Sequence, residues 1–414
     1  MRPEFLANHA GRVSRWGAIA LGVSIPVSTA LDNVLIAVIL AAWALSGRTR
    51  ATADFLLKNR VLLCPVLLFG LLALGTLHGE SPQRVALAGL WKYADLLFIP
   101  VFAMVFRERE VRSKALHAFA ITIAIVVVLS YLIRFGALPD LPFINGTAIS
   151  PTVFKYKITH SLLVAFGAFL FAWLGSTTAN RRLRFFWHVL ALLAALNVLL
   201  LVKGATAYVT LGALIILFGA ERLGRRGAAY AMLGLAVIFT LLMTLPNPFQ
   251  ERVAKIQREV QEWRDGKNPT ESLSEPSSTG LRLAWYKNTL DIIAAHPLAG
   301  VGTGGFTKAY ARQVRGSGAV ETHNPHNEYL NIAAQIGIFG MALLIALFWT
   351  QWRSAKHLDT PMEQALARGL VLTMVIGCMV NSLLLDHTEG LFYAWLSGLL
   401  YGSLKYGLPE KLSG

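Results

Sequence analysis

Stretches dominated by Leu, Ile, Val, Ala and Phe recur along the chain near 14–29, 30–46, 61–77, 87–106, 115–135, 159–176, 185–202, 206–220, 228–245, 329–352, 363–384 and 388–404. A helix that crosses a bilayer needs about 20 largely apolar residues. The pattern therefore predicts about twelve membrane-spanning helices. The first two share one run, broken near Pro26, Ser28 and Thr29. The seventh and eighth are separated only by Lys203, Gly204 and Ala205.

Between these runs the positive charges alternate. Arg2, Arg12 and Arg15 precede the first run. Every second connection is then basic, with Arg48, Arg50, Lys58 and Arg60, then Arg107, Arg109, Arg112 and Lys114, then Arg181, Arg182 and Arg184. The series continues with Arg222, Arg225 and Arg226, Arg353 and Lys356, and Lys405 and Lys411, and holds more than half of the 38 Lys and Arg. The short connections between them carry only Arg84, Arg134, Lys155, Lys157 and Lys203. Short cytoplasmic loops are enriched in Lys and Arg, so twelve spans with both ends cytoplasmic fit the alternation.

Composition agrees. Charged residues are 15% of the chain and hydrophobic ones 55%, against about 25% charged in an average soluble domain. The net charge of +15 is scattered in short clusters rather than gathered in one patch, which argues against nucleic-acid binding. Cys64 and Cys378 both lie inside apolar runs and offer neither a disulfide framework nor zinc spacing. The amino-terminal stretch lacks a cleavable-signal pattern and reads as a retained helix.

One connection breaks the pattern. Residues 246–328 form a long, basic loop on the non-cytoplasmic side, between nine helices in 1–245 and three in 329–414. Long loops escape the charge rule, and in a compact protein they are commonly functional. Val253, Ile256, Val260 and Trp263 recur at helical spacing with Arg252, Lys255, Arg258 and Arg264 between them, predicting an amphipathic surface helix. A flexible stretch over 265–278, a helix over 281–295, a GVGTGG turn at 300–305 and a short helix over 306–314 are expected to follow. The whole reads as a helical cap over the bundle on the non-cytoplasmic side.

The densest polar signal is Glu321-Thr322-His323-Asn324-Pro325-His326-Asn327-Glu328-Tyr329, where the cap re-enters the tenth span. Imidazole moves protons near neutral pH. A plain helix start explains Asn324 as N-cap and Pro325 as first helical residue, but not two His and a Glu at the mouth of a bundle. Pro325 between His323 and His326, with no further ligand motif, argues against a metal site. The cap also carries Arg282, Lys287, Lys308, Arg312 and Arg315. Arg282 stands out because Leu283, Trp285 and Leu290 surround it, whereas Lys308, Arg312 and Arg315 suit a solvated face. GVGTGG lacks the Lys-Ser/Thr of a P-loop and reads as a structural turn. Lys92 and Asp95 interrupt the fourth run, three residues apart on one expected helical face where they can neutralise each other. Asn381 interrupts the eleventh. Lys203, Lys155, Tyr156, Lys157 and His160 are expected to face a common outer chamber.

These motifs resemble a known family. His326-Asn327, nine residues, then Gly337-Ile338-Phe339-Gly340 resembles the His-Asn-x9-Gly-x-x-Gly pattern of the bacterial O-antigen ligase and polymerase superfamily. Gly280-Leu281-Arg282, Trp285 and His296-Pro297 through Gly304 resemble its Arg–Trp–HPxxGxGxG segment, and Asn324 to Leu330 looks like the ligase branch. The resemblance implies a GT-C-like, all-α integral-membrane fold in the bacterial inner membrane. It implies transfer of a glycan from undecaprenyl diphosphate to lipid A–core oligosaccharide in the periplasm, with no metal or other cofactor. One position departs: where similar ligases carry Gly-Arg-Thr-Gly-Tyr, this chain has Gly204-Ala205-Thr206-Ala207-Tyr208, so the expected arginine is Ala205.

Together the residues and the resemblance suggest His326 as general base and Arg282 as the cation facing the leaving diphosphate. Lys203 and Arg312 are expected to assist, and His323, Asn327, Glu328 and Tyr329 to orient the base or contact substrate. The chain is expected to act as a monomer among membrane lipids. O-antigen polymerase and protein O-oligosaccharyltransferase remain as alternatives within the same chemistry. A lipid-linked glycan transporter fits less well, because the polar density lies at one face and no inverted repeat is evident.

Overall fold

The computed structural model describes residues 3–138, 144–202, 204–244, 246–266 and 278–405. Lys203 lies outside the described residues, as does most of the stretch expected to be flexible. The helices in order are α1 (Pro3–Ser24), α2 (Thr29–Leu45), α3 (Thr49–Lys58), α4 (Arg60–Gly75), α5 (Gln83–Trp91), α6 (Asp95–Val105), α7 (Arg109–Arg134) and α8 (Lys157–Thr177). They continue with α9 (Arg181–Leu196), which runs into a π-turn at Asn197–Leu201, then α10 (Ala205–Thr244), α11 (Pro248–Arg264), α12 (Ser278–Ala295), α13 (Phe306–Gln313), α14 (Glu328–Ser354), α15 (Pro361–Val380) and α16 (His387–Tyr401).

Each of the twelve apolar runs becomes helix. Seven stretches are long and apolar enough to cross a membrane, eight if α2 and α3, bent by 99°, count as one span. The remaining runs lie on α1, α4 and α16. The protein is a multi-pass membrane protein. The boundaries follow local chemistry: Ser28 accepts a hydrogen bond from the Leu31 N–H to start α2, and Asn180 and Thr360 cap α9 and α15 in the same way.

The eighth and ninth runs share the 40-residue α10. As one straight rod it would measure about 60 Å, twice the apolar thickness of a bilayer. It is not straight. Gly224 adopts φ 62°, ψ −148°, a conformation that favours glycine. A Cβ on Gly212 would lie 3.9 Å from Leu235, although a straight helix would separate these residues by about 35 Å. The chain reverses at Gly224, and the two arms of α10 form an antiparallel hairpin.

The fourth run differs from expectation. It breaks between α5 and α6, so Lys92 ends one helix and Asp95 starts the next. They do not share one helical face, and no ion pair joins them among the described residues.

The core is built on α16, whose residues from Thr388 to Tyr401 are all buried. Phe119, Phe166 and Phe392 pack in ring contact within it. At one end of the bundle the buried Arg112 of α7 donates to Glu363 of α15 at 2.8 Å and also pairs with Asp359.

Helices α11, α12 and α13 form the cap, and the turn between α12 and α13 meets the bundle through backbone groups. The Val301 and Gly302 N–H groups donate to the Ala334 and Gln335 carbonyls at 2.8 and 3.0 Å, and the Gly304 N–H donates to Gln335 Oε1 at 2.9 Å. Helix α14 breaks there, with Gly337 at φ 71° and no room for a Cβ against the Leu298 carbonyl. The GVGTGG turn and the break in α14 thus fit each other, giving both glycine motifs a packing role.

Candidate active site

The re-entry segment brings His326 to the cap–bundle junction. His326 has φ 53°, the one positive φ of a non-glycine residue among the described residues. Asn324 stabilises it: its Oδ1 accepts from the His326 N–H at 2.8 Å and from Ser382 Oγ at 2.7 Å. The helix cap is therefore Asn327, not Asn324, and α14 starts at Glu328 rather than Pro325. Asn327 Oδ1 accepts from the Leu330 N–H at 3.0 Å, while its Nδ2 donates to the Met379 carbonyl at 2.9 Å.

The imidazole of His326 stacks on Trp285 of α12, with ring centroids 5.1 Å apart. Its Nδ1 lies 3.1 Å from Asn381 Oδ1, and Asn381 Nδ2 donates to Asp386 at 3.2 Å. An amide oxygen only accepts. The neutral ring therefore carries its proton on Nδ1 and leaves a lone pair on Nε2. Burial lowers the His326 pKa below its ordinary value; the Asn381 bond opposes this, the Arg282 charge adds to it, and Asp386 opposes it. Burial raises the Asp386 carboxyl above the usual carboxylate range.

Arg282 reaches the same place because α12 carries both it and the two rings that hold the histidine. Trp285 stacks on His326, and the Tyr286 hydroxyl, one turn beyond Arg282, meets the His326 and Met379 carbonyls at 3.0 and 3.1 Å. Arg282 is half-buried and, among the described residues, makes no hydrogen bond or close ion pair. Burial lowers its pKa, and Arg252 of α11 acts in the same direction; Tyr286 and Glu259 oppose. Arg252 itself touches Ser278 Oγ at 3.5 Å, one turn before Arg282. The Tyr208 hydroxyl on α10 is buried without a hydrogen-bond partner among the described residues and lies within reach of the Arg252 charge. Ala205 opens α10 one turn before Tyr208. The Arg252 charge thus reaches both Tyr208 and Arg282, and the Arg282 charge reaches His326.

Other expected site residues fall elsewhere. Glu328 does not orient His326: it is fully buried, accepting from the Tyr93 hydroxyl at 2.8 Å and the Leu384 N–H at 3.0 Å. It braces α14 against the α15–α16 loop. Tyr329 donates to the Val375 carbonyl at 3.2 Å within the bundle. His323 is exposed. Arg312 pairs with Glu80, which Lys308 also contacts, so this pair ties α13 to the α4–α5 connection. Lys155 and His160 are buried rather than open to a chamber: Lys155 donates to Thr388 at 3.1 Å, and His160 lies 3.4 Å from Asn197. Tyr156 and Lys157 are exposed. Among the described residues no group of three or more His, Cys, Asp or Glu is placed to hold a metal ion.

In the sequence Asn381 is only a polar break in an apolar run, and nothing local marks Asp386, Tyr286 or Tyr208 as site residues. Arg252 was visible only as one charge on an amphipathic helix. Their signal is three-dimensional, since they come from α10, α11, α12 and the α15–α16 loop.

Fold and site define a multi-pass helical membrane protein in which a cap helix, α12, carries Arg282 and holds His326 at the cap–bundle junction. Residues 189–345, which include Arg282 and His326, match the family model described as O-antigen ligase. Comparison with curated proteins finds no match. Among solved structures, a chain from work on the structural coordination of polymerization and crosslinking by a peptidoglycan synthase complex is similar at 13% identity and a TM-score of 0.46. That match covers 83% of this chain and 96% of the other. A likeness at this level carries no argument about activity.

Proposed function

We propose that the protein is an O-antigen ligase, moving a glycan from undecaprenyl diphosphate to lipid A–core oligosaccharide on the periplasmic face of the inner membrane. The observation that carries this reading is that α12 presents Arg282 and, through Trp285 and Tyr286, holds His326, all within the family-matched region. The bilayer supplies both lipid-borne substrates to a site at the cap–bundle junction. Twelve crossings with both ends cytoplasmic place the cap outside, in a GT-C-like arrangement, and the chain acts as a monomer.

In this mechanism an acceptor hydroxyl attacks the anomeric carbon as the bond from that carbon to the diphosphate oxygen breaks. The configuration inverts in one step. Nε2 of His326 takes the hydroxyl proton, a role worth about 10²–10⁴-fold in rate. Asn381 fixes the productive tautomer. The bonding pair leaves with the diphosphate, whose growing negative charge meets fixed cations. Arg282 supplies the planar fork suited to phosphate. Arg252 adds a second cation beside Tyr208, the neighbourhood where the family resemblance places an arginine at position 205. No metal is required by these groups.

The test is reconstitution with a carrier-linked glycan, offered in parallel rough lipid A–core, a second carrier-linked glycan and a Ser/Thr peptide, each with excess EDTA. Transfer to lipid A–core that survives EDTA supports the reading. Transfer only to the second glycan or the peptide assigns a polymerase or a protein glycosyltransferase instead. Loss with EDTA and recovery with a divalent ion assigns a metal-assisted reaction.

A further inference from the structure

A second polar centre lies away from the arginines. The break between α5 and α6 and the face of α2 that carries Asn33, Ile36 and Leu40 border a cavity of about 430 Å³, lined on its polar side by Asn33, Trp91, Lys92, Asp95 and His387. Its other wall is apolar, with Ile36, Leu40 and Phe98. Among the described residues the side chains of Asn33, Lys92 and Asp95 make no hydrogen bond or ion pair. Asp95 sits close to α16, its Oδ2 2.9 Å from where a Cβ on Gly390 would stand. Trp91 presents its ring, 75% exposed.

Behind the cavity a buried network holds this wall. Asp32, fully buried, accepts from Ser24 at 2.6 Å, with Lys155 and His387 at 3.9 and 3.8 Å. Glu389 accepts from Thr159 at 2.6 Å. The network occupies the ends of α2, α8 and α16 nearest the cap. Polar side chains on a bundle wall are costly unless something satisfies them. The wall offers a carboxylate, an amide, an ammonium and an imidazole together. A phosphate would meet Asp95 and a cationic head Lys92, whereas neutral hydroxyls both donate to the first and accept from the second. An exposed indole presents a large apolar face beside these polar groups, as a sugar ring requires. The opposite wall suits a hydrocarbon chain. His387 directly follows Asp386, which reaches His326 through Asn381.

We propose that this cavity binds the sugar head of a glycolipid and, resting on the ligase reading, is the acceptor subsite that delivers a hydroxyl toward His326. The donor diphosphate occupies the separate arginine region, so the two lipids approach the histidine from different sides of the bundle.

The experiment measures equilibrium binding of radiolabelled decyl maltoside, below its critical micelle concentration, to the full chain in nanodiscs, with decyl phosphocholine as the control probe. Saturable binding of the maltoside alone is expected. Trp91→Leu and Asp95→Asn are each expected to weaken it by about tenfold, the effect of losing one hydrogen bond to a charged group or a comparable contact. Arg282→Ala should bind the maltoside as the wild type does. Because Asp95→Asn is nearly isosteric, it also guards against unfolding at Trp91→Leu. Equal binding of both probes, or unchanged binding in both folded variants, overturns the proposal. Binding requires no transfer, so an inactive wild type would count against the ligase reading and leave the sugar site standing. Where transfer occurs, Trp91→Leu should raise the acceptor KM and leave donor binding unchanged, and the reverse pattern would remove the acceptor assignment.

Discussion

Replacing Asn381 with Leu tests whether His326 acts as a positioned base. The substitution keeps the approximate size of the side chain and removes two bonds, the 3.1 Å contact to Nδ1 and the 3.2 Å bond to Asp386. A buried donor left unmade costs about 1–3 kcal/mol. A tautomer preference shifted by that amount changes populations by roughly 5- to 150-fold. Turnover should therefore fall by about 10- to 100-fold, while donor binding through Arg282 stays within about twofold. Asn381→Asp makes the complementary test. Burial holds the wild-type His326 pKa below its ordinary value of about 6.5. The neutral base is present above that lowered pKa and lost as pH falls through it, so the acidic limb of kcat/KM should lie below about pH 6.5. A carboxylate at 381 favours the imidazolium and should move that limb to higher pH. Both are read from pH profiles of glycan transfer in proteoliposomes, with folding checked by monodispersity in detergent. Unchanged turnover and an unmoved limb in two folded variants would refute the positioning argument.

Three further outcomes are expected. Arg282→Ala should weaken binding of donor and inorganic pyrophosphate by about tenfold or more as well as slow transfer, and Arg282→Lys should rescue it poorly, because a point charge does not reproduce a planar fork; restoring Arg at Ala205 should raise activity, and a silent Arg282→Ala would return that residue to a packing role. Glu328→Ala should lower thermal stability by about 2–4 kcal/mol, because it orphans the Leu384 N–H and the Tyr93 hydroxyl in the core; unaltered thermal unfolding with full activity would contradict the bracing role. Reporter fusions at Asn59, Arg181 and Arg225 should read cytoplasmic and those at Gly266 and Ser317 periplasmic, and a cytoplasmic Gly266 would invert the topology.

The helices were legible because apolar runs and their boundaries are local properties. Each of the twelve runs appears as helix, and Ser28 and Thr360 cap where a short polar side chain meets an orphan N–H. The reversal at Gly224 was legible only indirectly, through the basic cluster at Arg222, Arg225 and Arg226 that called for a turn. At the site, His326 and Arg282 stood out as polar residues in apolar company. Their meeting did not, since it depends on Trp285 and Tyr286 reaching across from α12. Glu328 misled for the opposite reason: adjacency to His326 suggested a shared role, yet a helix turns successive side chains to different directions, and this one points into the core. The Lys92–Asp95 pairing assumed an unbroken helix that the structure interrupts between them.

The central claim is that His326 removes the acceptor proton while Arg282 and its neighbours hold the departing diphosphate. A single-turnover reaction of purified protein with a labelled carrier-linked glycan and lipid A–core tests it most directly, following glycolipid product and released undecaprenyl diphosphate together. Equal amounts of both are expected from the wild type, with an inverted anomeric linkage, and His326→Ala should lose about 10²-fold or more in rate with donor binding intact. Full-rate transfer by folded His326→Ala, or a product with retained configuration, would contradict it.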